Sequence, residues 1–182
     1  MASTLLIGGA RSGKSALAVA LAAKWGGPVT FIATAEARDE EMRARIAQHR
    51  ETRDPAWTTL EEPCEITQAI SSVPAESLIV LDCLTLWASN LLDRGLEAPD
   101  GERRAREASS TLARRHAPAI VVTNEVGSGI VPANPAARTF RDLLGSINSI
   151  FANDARRVLF VTAGRVLSMK RPEEVFDDVL DR

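Results

Sequence analysis

The stretch LLIGGARSGKSALAV, residues 5–19, joins a short apolar run to a helical pattern through a loop rich in glycine. The apolar run stops at Gly8 and Gly9, and alanine and leucine recur at helical spacing after Ser15. Small residues let a backbone curl so that successive N–H groups point inwards at an anion. The stretch therefore predicts a buried strand, a tight anion-binding loop and a helix whose positive end faces that loop.

This loop matches the phosphate-binding pattern G-x-x-x-x-G-K-[ST] at every fixed position. In such loops the lysine binds the β- and γ-phosphates, and the hydroxyl of the next residue binds Mg²⁺. A glycine turn without a ligand is the alternative, which the strand–loop–helix context disfavours. Arg11 either reaches a phosphate or faces solvent. We predict that the nucleotide phosphates contact the whole loop: Gly8, Gly9, Ala10, Arg11, Ser12, Gly13, Lys14 and Ser15.

Apolar runs alternate with helical patterns along the rest of the chain, which is typical of βα units around a mostly parallel sheet. The predicted strands are residues 4–7, 29–33, 78–81, 119–123 and 157–162, with a possible sixth at 166–168. The predicted helices are 14–25, 39–53, 64–71, 84–94, 101–116 and 134–153, with an exposed loop at 95–101. We expect one α/β domain over residues 1–182, a RecA-like P-loop NTPase fold with a mostly parallel sheet flanked by helices.

Composition argues against several classes of partner. The 182 residues carry a net charge of −2, which gives no reason to expect nucleic acid or an anionic membrane surface as a ligand. Cys64 and Cys83 have no CxxC or zinc-site spacing, which fits a reducing compartment. The sequence shows no signal peptide, and no apolar run approaches the ~20 residues of a membrane span. We expect a cytoplasmic protein without membrane insertion.

Asp82 follows the apolar run LIVL and so lies at the carboxyl end of a predicted buried strand. A carboxylate in that position can hold Mg²⁺, or its water shell, beside Ser15. The alternative is an aspartate that caps the following helix. With a phosphate loop in the same chain, we predict that Ser15 and Asp82 bind the metal.

The segment IATAEARDEEMRARIAQHRETRDPAWTTLEEP, residues 32–63, leaves the carboxyl edge of the sheet, where ligands of open α/β folds bind. It carries His49 on a charged helix, with Arg45, Arg50 and Arg53 nearby. A neutral imidazole can attack phosphorus when nearby cations neutralise the charge that develops. The residues alone favour the alternative of a solvated helix face with an idle histidine.

A resemblance to a known family favours a chemical role for His49 over the idle alternative. The chain resembles, over about residues 4–170, the bifunctional adenosylcobinamide kinase / adenosylcobinamide-phosphate guanylyltransferase family of cobalamin assembly, through GGARSGKS, IATA, DEEMRARIAQHRETR, VLDCLTLWASNLL and VVTNEVGSGIVP. The resemblance implies phosphorylation of adenosylcobinamide by ATP or GTP. It also implies transfer of GMP from GTP, through a guanylylated histidine, to adenosylcobinamide phosphate. A compact homotrimer is implied as well.

Position by position, the resemblance places the family's reactive histidine on His49, although some members have a second histidine where this chain has Gln48. With Lys14, His49 is the candidate catalytic residue. The residues that match the family's guanine-nucleotide contacts are Ala33, Thr34, Ala35, Arg50, Glu51, Thr52, Arg53, Glu61 and Asp82.

Some assignments stay open at this stage. Asn124 and Glu125 either position a substrate hydroxyl or a metal-bound water, or they form a structural turn. Trp57 packs in the core or on a ligand, and Trp87 packs in the core or at a subunit contact. His116 is expected to end the Arg-rich helix, where it meets the helix dipole. A monofunctional P-loop kinase is the alternative enzyme, and a nucleotide-gated regulatory module is the alternative outside catalysis.

Overall fold

The computed structural model describes residues 3–179, apart from the side chains of residues 177 and 178. The strands are β1 (Ser3–Gly8), β2 (Val29–Ala33), β3 (Thr58–Glu61), β4 (Leu78–Asp82), β5 (Ala119–Asn124), β6 (Arg157–Thr162) and β7 (Arg165–Met169). The helices are α1 (Lys14–Ala22), α2 (Glu40–Glu51), α3 (Ile66–Ser72), α4 (Leu84–Asp93), α5 (Ala98–Ala113), α6 (Pro135–Asp154) and α7 (Phe176–Val179), and a 3₁₀ turn covers Pro172–Glu174.

All seven strands form one sheet in the order β3-β2-β4-β5-β1-β6-β7. Every neighbouring pair is parallel except β6 and β7, which pair antiparallel. The carboxyl ends of β1, β2, β4 and β5 therefore meet at one edge, where α/β folds bind ligands. The predicted fold class, a mostly parallel sheet flanked by helices, is confirmed.

Two apolar layers cover the two faces of the sheet, because successive side chains of a strand point to opposite faces. One layer packs strand residues such as Leu6, Val80 and Val122 against Ala18 and Ala22 of α1. The other packs the alternate strand residues against α3, α4, α5 and α6, among them Leu5, Leu81, Val121, Ile70, Leu84, Leu112 and Leu144. Helix α1, which follows the phosphate loop, is thus the main helix that packs on the first of these two faces of the sheet.

Several predicted boundaries are wrong. Strand β3 was not predicted, because the sequence TTLE has a single apolar residue and pairs only with β2 at the sheet edge. Helix α5 begins at Ala98, inside the predicted loop 95–101, since Pro99 fits the first turn of a helix. The same helix ends at Ala113, so His116 lies beyond it, where the Ala117 N–H bonds to the Ala75 carbonyl and the chain turns into β5.

Trp87 belongs to the core, which resolves the alternative left open by the sequence. Its side chain is fully buried and its Nε1–H donates to the Cys64 carbonyl at 2.8 Å. We expect Trp87→Ala to lower the free energy of unfolding by about 3–5 kcal/mol, because a large cavity and an unpaired carbonyl remain. Urea denaturation measures this, with Trp87→Phe expected to lose much less; a change below about 1 kcal/mol in the alanine variant would contradict the assignment.

Candidate active site

The phosphate loop connects β1 to α1 and needs glycine at two positions for different reasons. Gly13, which precedes α1, has φ 102°, in the left-handed region that favours glycine. Gly8 passes so close to β6 that an added Cβ would lie 2.0 Å from the Val161 carbonyl oxygen. Arg11 is exposed at the loop tip with φ 55°. The loop therefore has the tight backbone that the sequence pattern predicts.

The Lys14 ammonium lies inside this loop. Its Nζ donates to the Gly9 carbonyl at 2.6 Å and to the Ser12 hydroxyl at 3.2 Å, and the residue is 6% exposed. Burial is the main reason that the pKa of Lys14 is lowered, and the neighbouring Cys83 and Asp82 oppose this. A buried cation held by neutral oxygens can exchange these bonds for phosphate oxygens when a nucleotide binds.

Asp82 ends β4 and accepts a hydrogen bond from the Ser15 hydroxyl. Burial raises the pKa of Asp82, while Ser15, His49, Arg53 and Lys14 act in the opposite direction. The cap of α4 is Cys83, so Asp82 is not the helix cap that the sequence allowed as an alternative.

The pair of Ser15 and Asp82 fits Mg²⁺ by the chemistry of its donors. A hydroxyl and a carboxylate are hard oxygen ligands, and Mg²⁺ commonly takes one or two of these together with water and nucleotide phosphates. Among residues 3–179 no group of three or more His, Cys, Asp or Glu side chains forms a metal site. Mg²⁺ at Ser15 and Asp82 would take its further ligands from water and the nucleotide phosphates.

Thr34 joins the ends of β2 and β4. Its fully buried hydroxyl donates to the Cys83 carbonyl at 2.7 Å and accepts from the Cys83 N–H at 2.8 Å. Its own N–H donates to the Asp82 carbonyl at 3.1 Å. The carbonyl of Thr34 accepts from the Asn90 amide at 2.7 Å. The Thr34 side chain, predicted to contact the nucleotide, thus fixes the backbone that carries Asp82. Nothing in the sequence indicated this structural role.

His49 reaches the site from α2, a helix with no fully buried residue. Its half-buried face consists of Met42, Ile46 and His49, spaced four and three residues apart. The His49 Nδ1 lies 3.9 Å from the Asp82 Oδ2. Arg45, one turn earlier, is close enough to contribute to the lowered pKa of Lys14. The structure therefore brings the histidine, the acidic strand end and the phosphate-loop lysine together.

A cleft of about 750 Å³ opens beside His49 and contains four of the predicted nucleotide contacts. Its lining residues are Arg50, Glu51, Arg53, Asp54, Pro55, Trp57, Thr59 and Glu61. Arg50 forms an ion pair with Glu61 across this cleft. Trp57 combines both of its predicted roles, since it lines the cleft and packs against the apolar layer under α1.

Arg53 has buried hydrogen-bond donors without partners. Its guanidinium lies 3.7 Å from the centroid of the Phe31 ring, and its Nε and Nη1 are buried without hydrogen bonds among residues 3–179. Burial lowers the pKa of Arg53, opposed by the Asp82 carboxylate. Unpaired buried donors on a cation are unfavourable unless a ligand satisfies them. The arrangement suits an anionic or strongly hydrogen-bonding ligand.

A charged network that the sequence did not reveal anchors the segment between β2 and α2. Arg38 bonds to Glu36, Asp93 and the Asn90 side chain, and Arg94 bonds to Glu36 at 2.6 Å. These hydrogen bonds lower the pKa of Glu36 to about 2, with Arg94 the larger cause and Arg38 next. The network links the segment just before α2, the helix that carries His49, to α4.

The chain after β5 closes a turn at the same edge. Glu125 Oε1 accepts from the N–H groups of Gly127 and Ser128, and the Glu125 N–H donates to the Gly8 carbonyl at 3.1 Å. Glu125 therefore holds a structural turn, one of the two alternatives for this residue.

The sheet order, the phosphate loop and the acidic end of β4 define a P-loop nucleotide-binding α/β protein. Solved structures with the same fold include the RadB recombinase, with a TM-score of 0.52, 18% identity, and coverage of 87% of this chain and 73% of that chain. Another is an ATPase of a type III secretion system, with a TM-score of 0.55, 10% identity, and coverage of 96% and 60%. At these identities the likeness concerns the fold alone.

Residues 4–169 match the CobU family, described as cobinamide kinase / cobinamide phosphate guanyltransferase, and the chain belongs to this family. It is 43% identical over 169 residues to the bifunctional adenosylcobalamin biosynthesis protein CobP of Pseudomonas aeruginosa, covering 91% of this chain and 96% of that protein. It is 37% identical over 179 residues to CobU of Escherichia coli, covering 91% and 98%. The resemblance inferred from sequence motifs is confirmed, and with it the assignment to an enzyme family.

Removing the charge of Asp82 is expected to stabilise the metal-free protein while impairing activity. Because burial raises the pKa of Asp82, the folded protein binds its proton more readily than the unfolded chain. Stability therefore falls as pH rises from the ordinary aspartate range through the folded pKa. Asp82→Asn should have the higher Tm near pH 7, and the difference should vanish below about pH 3, where both forms are neutral.

Thermal denaturation in chelator across this pH range measures the effect, with Glu97→Gln as an exposed control. Loss of the carboxylate should also lower Mg²⁺-dependent turnover on the order of 100-fold. A variant that is less stable than wild type near neutral pH would contradict the assigned cause.

Proposed function

We propose that this chain phosphorylates the aminopropanol hydroxyl of adenosylcobinamide with ATP or GTP, and then transfers GMP from GTP to adenosylcobinamide phosphate through His49. Family membership supports the substrate class. The observation that carries the mechanism is the position of His49, whose Nδ1 lies 3.9 Å from the carboxylate at the phosphate loop. This position beside the phosphate loop favours a chemical role for His49 over the alternative of an idle histidine on a solvated helix face.

The loop residues hold the triphosphate in both reactions. Backbone N–H groups from Gly8 to Ser15 and the Lys14 ammonium bind the β- and γ-phosphates. Ser15 and Asp82 would hold Mg²⁺, which neutralises phosphate charge and orients the phosphates when it is bound. The lysine is already buried in the loop, so little rearrangement of charge is needed when the nucleotide enters.

His49 performs the guanylyl transfer in two displacements. We assign the attack on the α-phosphorus of GTP to Nε2, because the other ring nitrogen, Nδ1, lies 3.9 Å from the Asp82 Oδ2. The N–P bond forms, the bond from the α-phosphorus to its bridge oxygen breaks, and pyrophosphate leaves. A phosphate oxygen of adenosylcobinamide phosphate then attacks the same phosphorus, the N–P bond breaks, and the imidazole is restored. Each displacement avoids bringing a phosphorylated corrinoid against an intact triphosphate.

The cleft beside His49 takes the guanosine part of GTP. Guanine presents two N–H donor groups on one edge, which suit the Glu61 carboxylate, and Arg53 has buried donors available for acceptor atoms. The flanking residues Ala33, Ala35 and Glu51 complete this contact set through their positions beside the site. Thr34 and Thr52 contribute indirectly, since their hydroxyls bond to Cys83 and to the His49 carbonyl and so hold the backbone beside Asp82 and His49.

The proposal extends to assembly and location. We expect a cytoplasmic homotrimer that binds no nucleic acid. Apolar side chains exposed on β7, Val166, Leu167 and Met169, offer surface for such contacts. No helix among residues 3–179 has both the length and the apolar character to cross a membrane. Sedimentation equilibrium at three times the chain mass would support the trimer, and a monomer at micromolar concentration would contradict it.

A labelling experiment tests the proposed function. The protein is incubated with α-labelled GTP and Mg²⁺, denatured, and analysed for label on His49 that is labile to acid and stable to base. Phosphorylation of adenosylcobinamide is measured in parallel with γ-labelled ATP. Both signals are expected. Phosphorylation without protein-bound label would indicate a monofunctional kinase, and the absence of both would indicate a regulatory nucleotide-binding module.

A further inference from the structure

The end of β5 lies between the two strands that carry the phosphate machinery. In the sheet order, β5 separates β4, which ends in Asp82, from β1, which leads into the phosphate loop. Asn124 is directly opposite Gly8, and Asp82 is opposite Val122. With a rise of about 3.3 Å per residue, Asn124 lies two residues farther along the edge than Asp82, level with the start of the loop.

The alternation of side chains assigns Asn124 to the face that carries α1. Ile120 and Val122 pack in the apolar layer with α1, whereas Thr123 faces the other layer and donates to Asn148 of α6 at 2.7 Å. Val80, and hence Asp82, belongs to the same face as Val122. The side chain of Asn124 therefore shares its face with Lys14, Ser15 and Asp82.

Hydrogen bonds hold the backbone of Asn124 in place. Its N–H donates to the Thr85 hydroxyl at 2.8 Å, and its carbonyl accepts from the Asn148 amide at 3.0 Å. The next N–H, of Glu125, donates to the Gly8 carbonyl. Thr123 and Asn148 are buried, so these bonds form a satisfied polar network inside the protein. The side-chain amide of Asn124 makes no hydrogen bond with residues 3–179, although a rigid frame holds its backbone.

We propose that the Asn124 amide binds the γ-phosphoryl group during phosphorylation and takes no part in guanylyl transfer, an inference that rests on the proposed function. In phosphorylation the substrate hydroxyl oxygen bonds to the γ-phosphorus, the bond to the β–γ bridge oxygen breaks, and a nucleoside diphosphate leaves. The hydroxyl proton passes to solvent. The amide N–H groups stabilise charge on an equatorial oxygen of the transferring group, and the amide oxygen accepts from the attacking hydroxyl.

The guanylyl transfer makes no such demand on Asn124. There the bonds change at the α-phosphorus beside His49, and the γ-phosphate leaves as part of pyrophosphate. A hydrogen bond from Asn124 to the γ-phosphate therefore strengthens only in the transition state of phosphorylation. An interaction of this kind accelerates phosphorylation without accelerating guanylyl transfer.

The test measures both half-reactions separately in Asn124→Ala. We expect kcat for phosphorylation of adenosylcobinamide by ATP to fall about 100-fold, with KM for ATP and the rate of GMP labelling of His49 within about threefold of wild type. Asn124→Asp, which loses the donors and adds charge, should fall at least as far. Asn153→Ala removes an exposed amide from α6 and is the control expected to change neither reaction.

Three results have distinct meanings. Equal losses in both half-reactions would assign Asn124 a structural role and overturn the inference. Unchanged phosphorylation in Asn124→Ala would overturn it as well. A wild-type protein that performs neither reaction would instead refute the proposed function, before any variant is considered.

Discussion

Lys14→Ala is expected to lose both transfer reactions, each by at least on the order of 100-fold. The Lys14 ammonium lies inside the phosphate loop, on the Gly9 carbonyl and the Ser12 hydroxyl. In the proposed mechanism this loop binds the triphosphate of the nucleotide whether the γ- or the α-phosphorus is attacked. Steady-state phosphorylation with ATP and single-turnover labelling with GTP measure the two losses independently.

The fold of Lys14→Ala should survive, because burial of the ammonium lowers its pKa and so opposes folding of the charged form. Lys24→Ala, an exposed lysine after α1, is the matched control and should keep both activities. If either reaction persists at the wild-type rate in Lys14→Ala, that reaction uses a phosphate site elsewhere in the chain.

The fold was predictable where the pattern is local and repeated. Each parallel strand buried on both faces is a continuous apolar run, such as LIVL before Asp82, and the loop has fixed residues at fixed spacing. Strand β3 could not be predicted, because its four residues have one apolar side chain and their extended form depends on pairing with β2. The start of α5 was misplaced because Pro99 resembles a loop signal as much as a first-turn residue.

The site was predictable only in part, for the same reason. Lys14 and Ser15 follow from the loop pattern itself. The approach of His49 to Asp82 depends on how α2 lies across the sheet edge, and residues 33 positions apart give no sign of it. Thr34 illustrates the limit: we predicted it as a nucleotide contact from the resemblance, and its hydroxyl bonds to Cys83, 49 residues away. Long-range hydrogen bonds of this kind leave no local pattern in a sequence.

His49→Ala is expected to abolish guanylyl transfer, by on the order of 10⁴-fold or more, while phosphorylation by ATP stays within about tenfold of wild type. Among the described residues that line the cleft or face Asp82, the other nitrogen-bearing side chains are Arg50, Arg53, Lys14 and the Trp57 indole, and none of these is an imidazole. In the proposed mechanism the γ-phosphoryl transfer has no covalent enzyme intermediate and makes no use of the His49 imidazole. Protein-bound label from α-labelled GTP and product formation with γ-labelled ATP report on the two activities.

The chain contains one other histidine, and this gives the matched control. His116 lies beyond α5 in a separate cleft with Arg114 and Thr111, so His116→Ala should retain label and both activities. Gln48→Ala tests the position next to His49 and should also be labelled. Since α2 has no fully buried residue, His49→Ala should fold normally. Equal loss of both reactions in that folded variant would show that the imidazole holds the nucleotide rather than attacking it, and the two-displacement mechanism would be wrong.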